Sequence, residues 1–254
     1  MSESLPAPAA PTAPGVAALV ALDGAAPPLE ELFRFMVDAE LRVRTLRMRI
    51  LEQTMTARGE TEVTHDVLLR DDGRARVTRR RSADAMSRDY DVWSTDGSTV
   101  TTYDARSERA SVRRAHATPV GVTAEDLPRY AQVRPARTRL PADSVVDAFV
   151  HPNGFIRNVV LTGVVTLAGS TVLNGRETFL LRLQHPRSTY VLTDRPDRWV
   201  DVGVDRQTGF LTLLVEHIGD TVTRHAEAVS LETDAPIPDD AFVVHLPGNV
   251  RRIY

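Results

Sequence analysis

A chain of 254 residues with 42% hydrophobic side chains can bury a substantial core, in one domain or two. Its formal charge of -3 gives no overall pull toward nucleic acid or an anionic membrane, although all 31 basic residues are arginines. With no cysteine, it has no disulfide, thiolate metal site, cysteine nucleophile or lipid-modified N-terminal cysteine.

Residues 1 to 28 are rich in Ala and Pro, a composition that buries too little apolar surface to offset ordering, so a disordered leader is expected there. The apolar run Val16 to Leu22 has no basic residue before it and ends at Asp23, which does not fit a secretory signal. No run reaches the roughly 18 apolar residues of a membrane-spanning helix. A soluble chain is expected, cytoplasmic as written. From Leu29 to about Arg42, Leu32, Phe33, Met36 and Val37 recur at helical spacing behind Pro28, which suits a first turn.

At Leu46 the period changes to two. Leu46, Met48 and Ile50 alternate with Arg47, Arg49 and Leu51. Further strands are expected over Glu62 to Leu69, Ala75 to Arg80, Tyr90 to Trp93, Thr99 to Tyr103 and Ala110 to Arg113, separated by turns at Asp71-Asp72-Gly73, Asp96-Gly97 and Asp104 to Glu108. Residues 115 to 160 interrupt this pattern. Thr123 to Asp126 caps a short helix before Pro128, and Asp143-Ser144 caps a second over Val145 to Val150. Phe155 to Leu161 fits a helix or a strand.

Strands resume near Val164. From Ser170 to Leu231 five short strands are joined by hairpin signals, including Asn174-Gly175, Asp205 to Gly209 and Gly219-Asp220, with no room for a crossover helix. Phe179, Leu181 and Leu183 share one face of the strand from Glu177 to Gln184. About eleven strands with so few covering helices imply a large antiparallel sheet, curled or closed, in a single domain over residues 29–254. Such a sheet either fills its concave side with core or leaves an apolar hollow.

Catalytic signatures are missing. There is no GxSxG, Walker A, GxGxxG or HExxH sequence, and the seven histidines include no pair at metal-ligand spacing. His217 and His225 flank one hairpin turn and can approach each other, the sole basis for an enzymatic reading. Asp71-Asp72 and Asp239-Asp240 lie in turns, where cap and turn chemistry accounts for them. Arg79, Arg80 and Arg81 form the densest basic cluster. No aromatic residues interleave with it as a nucleic-acid patch would require, leaving a solvated strand end or a docking point for an acidic partner.

The order of these pieces resembles the LolA/LolB lipoprotein-carrier superfamily, including the lipid-binding domain of the RseB/MucB sigma-factor regulators. An amphipathic helix precedes the Leu-x-Met-x-Ile strand; Trp93-Ser94-Thr95-Asp96-Gly97 leads to Tyr103-Asp104. Then come Val172 to Glu177, Val204 to Leu211 and the terminal Ile237-Pro238-Asp239-Asp240-Ala241-Phe242. The resemblance implies a mainly β, incomplete barrel with helices plugging its concave side. It further implies non-enzymatic binding of lipid or lipoprotein acyl chains, as carrier or sensor, without a cofactor or metal.

On that reading the apolar lining is expected from Trp93, Phe179, Leu181, Leu183, Trp199, Leu211 and Leu213, with the helices at 29–42 and 143–150 as gates. The chain is expected to act as a monomer, without nucleic acid. The alternative is a regulatory interaction module that meets a membrane-bound partner protein through Arg79, Arg80 and Arg81. Members of the superfamily are usually extracytoplasmic, whereas this sequence shows neither a signal peptide nor a lipobox, so its compartment stays open.

Overall fold

The computed structural model describes residues 26–56, 59–84, 86–115, 140–141, 144–184, 197–248 and 250–253. The leader up to residue 25 and the helix expected at Thr123 to Asp126 lie outside the described residues.

The first strand, β1 (Thr45–Thr56), buries every second side chain at its start, as Leu46, Met48 and Ile50 turn inward. Hairpins carry the chain through β2 (Gly59–Arg70), β3 (Ala75–Arg80), β4 (Tyr90–Thr95), β5 (Thr99–Asp104) and β6 (Arg109–Arg114). A second meander follows: β7 (Val164–Leu173), β8 (Arg176–Gln184), β9 (Arg198–Asp205), β10 (Leu211–Ile218) and β11 (Thr221–Thr233). Asn174 and Gly175 both take positive φ, 48° and 77°, which is the backbone a two-residue hairpin needs to match strand twist.

One contact that joins distant parts of the chain unites the two meanders: β1 pairs antiparallel with β2 on one side and with β11 on the other. The order across the sheet is β12-β6-β5-β4-β3-β2-β1-β11-β10-β9-β8-β7. The eleven expected strands are present as one antiparallel sheet. A twelfth, β12 (Arg251–Ile253), lies parallel to β6 at its edge. Three residues are too short for alternation to reveal. Since β7 and β12 stand at opposite ends of the order, the sheet is not closed into a barrel among the described residues.

Among the described residues, three α-helices fill part of the concave side. In α1 (Leu29–Val37), Leu32 and Met36 are fully buried, four residues apart on one face. It ends at Asp38, and a 3₁₀ turn over Ala39–Leu41 completes the segment expected to be helical. At α2 (Val145–Val150), the Ser144 hydroxyl accepts a hydrogen bond from the Asp147 amide at 3.3 Å. Pro152 opens α3 (Pro152–Asn158), which settles the Phe155 segment as helix up to Asn158.

Phe149, Val146 and Ile156 pack with Leu32 and Met36 onto the inward faces of β8, β9 and β10, where Leu181, Leu183, Val202 and Val204 are fully buried. Arg42 fastens the α1 end: its Nη2 donates to the carbonyls of Phe35 at 2.8 Å and Thr208 at 2.7 Å, and its guanidinium lies 4.1 Å from the Phe35 ring centre.

The convex side of β3–β6 is crossed by the segment after β11. Ser94 donates to the Phe242 carbonyl at 2.6 Å, and Arg76 to the carbonyls of Ala241 and Val243. Val244, Leu246 and Val250 pack with Val92, Tyr103 and Ala110.

Candidate functional site

Strand register places inward side chains in rows that run across the first meander. The deepest row is Leu46, Leu69, Ala75, Thr95 and Val100, from β1 to β5. One step along the strands lie Met48, Val67, Val77, Trp93, Thr102 and Ser111. The next row is Ile50, His65, Arg79, Asp91, Asp104 and Arg109. The concave face therefore changes from apolar, through hydroxyl-bearing, to charged along the strand axis. Because side chains repeat every second residue, each step moves about 7 Å.

A cavity of about 600 Å³ opens over the outer two rows. Val77, Trp93, Val145 and Val146 give it apolar wall; Thr102, Ser111 and Ser144 contribute hydroxyls. Glu52, His65, Arg79, Asp91, Asp104, Arg109 and Arg224 give it charged and titratable groups. Its volume falls within the range of about 300–1,000 Å³ common for small-molecule sites.

The charged groups are held in pairs. Arg79 Nη2 lies 2.8 Å from Asp91 Oδ2, and Arg81 donates to the same carboxylate. His65 Nε2 lies 2.8 Å from Glu52 Oε2, and Arg224 Nε stands 3.2 Å from the other Glu52 oxygen. Arg224 also donates to Glu216 at 3.3 Å, linking β11 to β10. Burial works against ionisation of Glu52, but the His65 hydrogen bond and the nearby His65, Arg224 and Arg79 outweigh it, holding the carboxyl below its ordinary range. Asp104 accepts hydrogen bonds from the Ser107 amide and neighbouring groups, which likewise lower its pKa against the opposing effect of burial.

The residues singled out from sequence separate into three places. Trp93 lines the cavity. Phe179, Leu181, Leu183 and Leu211 face inward on the second meander, beneath the helices, and are packed as core. Leu213 and Trp199 stand on the opposite face. A register irregularity between Leu211 and Leu213 makes Leu214, not Leu213, the next inward residue on β10; Leu213 packs with Leu173, Leu180 and Val215. Trp199 stacks on His217 with ring centres 4.8 Å apart. His217 rests against Asp201 at 3.4 Å, and burial lowers its pKa more than that carboxylate raises it.

Nor do Arg79, Arg80 and Arg81 form one basic face. Arg79 points into the cavity, while Arg80 lies on the other side, with its guanidinium 5.5 Å from the Tyr90 ring centre and 3.6 Å from Asp66. Arg81 is occupied by Asp89 and Asp91. Asp72 and Asp239 hold Arg70 and Arg74 in ion pairs between the β2–β3 turn and the segment after β11.

Sequence reasoning passed over Glu52, His65, Asp91, Thr102, Asp104, Arg109, Ser111 and Arg224 as cavity residues. Their signal was the alternation itself: each occupies an inward position, but polar residues at such positions read as solvent-facing until the neighbouring strands are known.

The architecture is an open, curved antiparallel sheet, a half-barrel plugged by helices over one half. No family model and no curated protein matches the chain. Among solved structures it is similar to MucB, with 12% identity and a TM-score of 0.48 over 85% of this chain and 62% of that one. The chain thus spans less than two thirds of the length of that MucB chain. It is similar to an uncharacterized conserved protein from Thermus thermophilus, with 9% identity and a TM-score of 0.49 over 89% of this chain and 99% of that one. A LolA superfamily protein from Nitrosomonas europaea matches at 9% identity and a TM-score of 0.37, over 86% of this chain and 99% of that one.

Proposed function

We propose that the chain binds an amphipathic lipid without transforming it, holding acyl chain in the half-barrel as a carrier or sensor. The observation that supports this is the cavity of about 600 Å³, with apolar wall from Val77, Trp93, Val145 and Val146 beside a charged band. Burying acyl surface against that wall contributes about 25 cal/mol per Å². The charged row lies one step along the strands from that wall, beside the lipid's polar end. α2 borders the cavity with Val145 and Val146 and is anchored in the core by the same Val146 together with Phe149 and Val150, so a shift of α2 changes the cavity's width. The other apolar residues of the concave face, from Phe179 to Leu211, support the wall from the core and set the seat on which α2 rests.

Native mass spectrometry of the purified chain, before and after organic extraction, tests this reading. A co-purifying lipid, or uptake of a fluorescent fatty acid after extraction, is expected. Thr102→Trp fills the middle row and should reduce uptake while leaving the unfolding midpoint near that of the parent. No bound lipid and no uptake, or uptake unchanged by Thr102→Trp, would contradict it.

A further inference from the structure

The charged band of the cavity carries information about the ligand's polar end. This inference rests on the lipid-binding reading above. Among the described lining residues, Arg79, Arg109 and Arg224 oppose Glu52, Asp91 and Asp104, three positive charges against three negative. Asp91 is paired with Arg79 at 2.8 Å and also accepts from Arg81, and Glu52 is paired with Arg224 at 3.2 Å and with His65 at 2.8 Å. A charged head group entering this band would find no excess of the opposite sign. A zwitterion would have to break existing pairs to satisfy its own charges. Transfer of an ion into a partly dry site without compensation is unfavourable.

Hydroxyl groups meet a different situation. An arginine has five N–H donors and a carboxylate about four acceptor sites, so Asp91, whose Oδ2 takes both Arg79 and Arg81, and Glu52, with His65 on one oxygen and Arg224 near the other, each keep acceptor capacity. A hydroxyl donates to the carboxylate and accepts from the guanidinium without disrupting the pair, and charge-assisted bonds of this kind are the stronger ones. The adjacent row adds Thr102 and Ser111 as further donors and acceptors, and Trp93 as an aromatic wall. Their positions directly opposite one another on β4, β5 and β6 put all three side chains one row from Asp91.

We propose that the band selects an amphiphile whose head is uncharged and rich in hydroxyls, a glycosyl or glycerol group, over anionic, cationic or zwitterionic heads. Asp91 and Glu52 are its acceptors, Arg79 and Arg224 its donors, and the acyl chain lies toward Val77 and Val146. The discrimination comes from intact ion pairs.

Calorimetric titration of the full chain, below micelle concentrations, tests this with amphiphiles of one alkyl length bearing maltoside, phosphocholine, carboxylate or trimethylammonium heads, and with free maltose. The maltoside should bind at least about tenfold more tightly than the charged heads, the scale set by hydrogen-bonding groups left unmatched. Asp91→Asn should erase most of that preference. Thr102→Val, which preserves shape, should weaken the maltoside alone and keeps the test open if Asp91→Asn folds poorly. Equal binding of all four heads would overturn the head-group assignment and leave the lipid-binding reading standing. Binding of none would overturn both. Free maltose bound as tightly as the alkyl maltoside would overturn the assignment to an amphiphile.

Discussion

Asp205 sits at the turn between β9 and β10 and is 1% exposed. Its carboxylate accepts two bonds from Arg176, at 2.8 Å each, and two from Thr208, at 2.8 Å from the amide and 2.6 Å from the hydroxyl. The turn closes as the Asp205 amide donates to the Phe210 carbonyl at 2.9 Å. Breaking a buried charge pair costs about 3–5 kcal/mol when the remaining charge is trapped. Asp205→Ala frees Arg176, whose side chain is 24% exposed and can turn to water, so the loss should fall near the lower end, about 3 kcal/mol. Arg176→Ala strands the carboxylate itself, and its cost should approach the upper end of about 5 kcal/mol, moderated by the two Thr208 bonds. Asp205→Asn keeps an acceptor for Thr208 and should lose about 1–2 kcal/mol. Urea unfolding followed by far-ultraviolet circular dichroism measures all three. The double variant should be less destabilised than the sum of the singles, because the two residues act as one unit. Asp205→Ala within about 1 kcal/mol of the parent, or additive single and double changes, would refute this reasoning.

At Gly203, an added Cβ would stand 2.7 Å from Leu213 Cβ and 2.9 Å from both Thr178 Cγ2 and Thr212 Oγ1. Gly203→Ala should therefore destabilise by about 1–3 kcal/mol through overpacking in the same urea assay. Stability should also fall on acidification in two stages. Burial lowers the pKa of His217 and His225 below 6.5, so the fold holds protons less readily than the unfolded chain and loses stability as pH drops below that value. Glu52, held below its ordinary 4.5, contributes stability that is present above 4.5 and lost as pH falls through its folded value. Glu52→Gln should flatten only the lower stage of the unfolding midpoint against pH; an unchanged profile would show that the Glu52 pair makes no net contribution.

Much of the sheet was legible because its hairpins are marked by Asp-Gly, Asn-Gly and Gly-Asp, and because stripes such as Leu46-Met48-Ile50 and Phe179-Leu181-Leu183 are uninterrupted. The pairing of β1 with β11 was not legible. No local rule joins the first strand to one near the end of the chain, yet this contact makes one sheet of two meanders. The site was hidden for a related reason. Arg79 and Asp91 break the apolar alternation of β3 and β4, so each reads alone as a solvent-facing charge, and only the register brings them opposite each other. Leu213 shows the converse. Alternation from Leu211 puts it inward, and the register irregularity between them reverses it.

On the proposed function the concave cavity, not the convex face, receives acyl chain, and the two tryptophans distinguish these surfaces. Trp93 lines the cavity, whereas Trp199 stacks on His217 on the other side of the sheet. Titration with an alkyl maltoside brominated along its chain, reading tryptophan fluorescence, should quench the Trp199→Phe variant, which keeps Trp93, and leave Trp93→Phe nearly unchanged. Quenching confined to Trp199, or absent from both variants, would contradict the account.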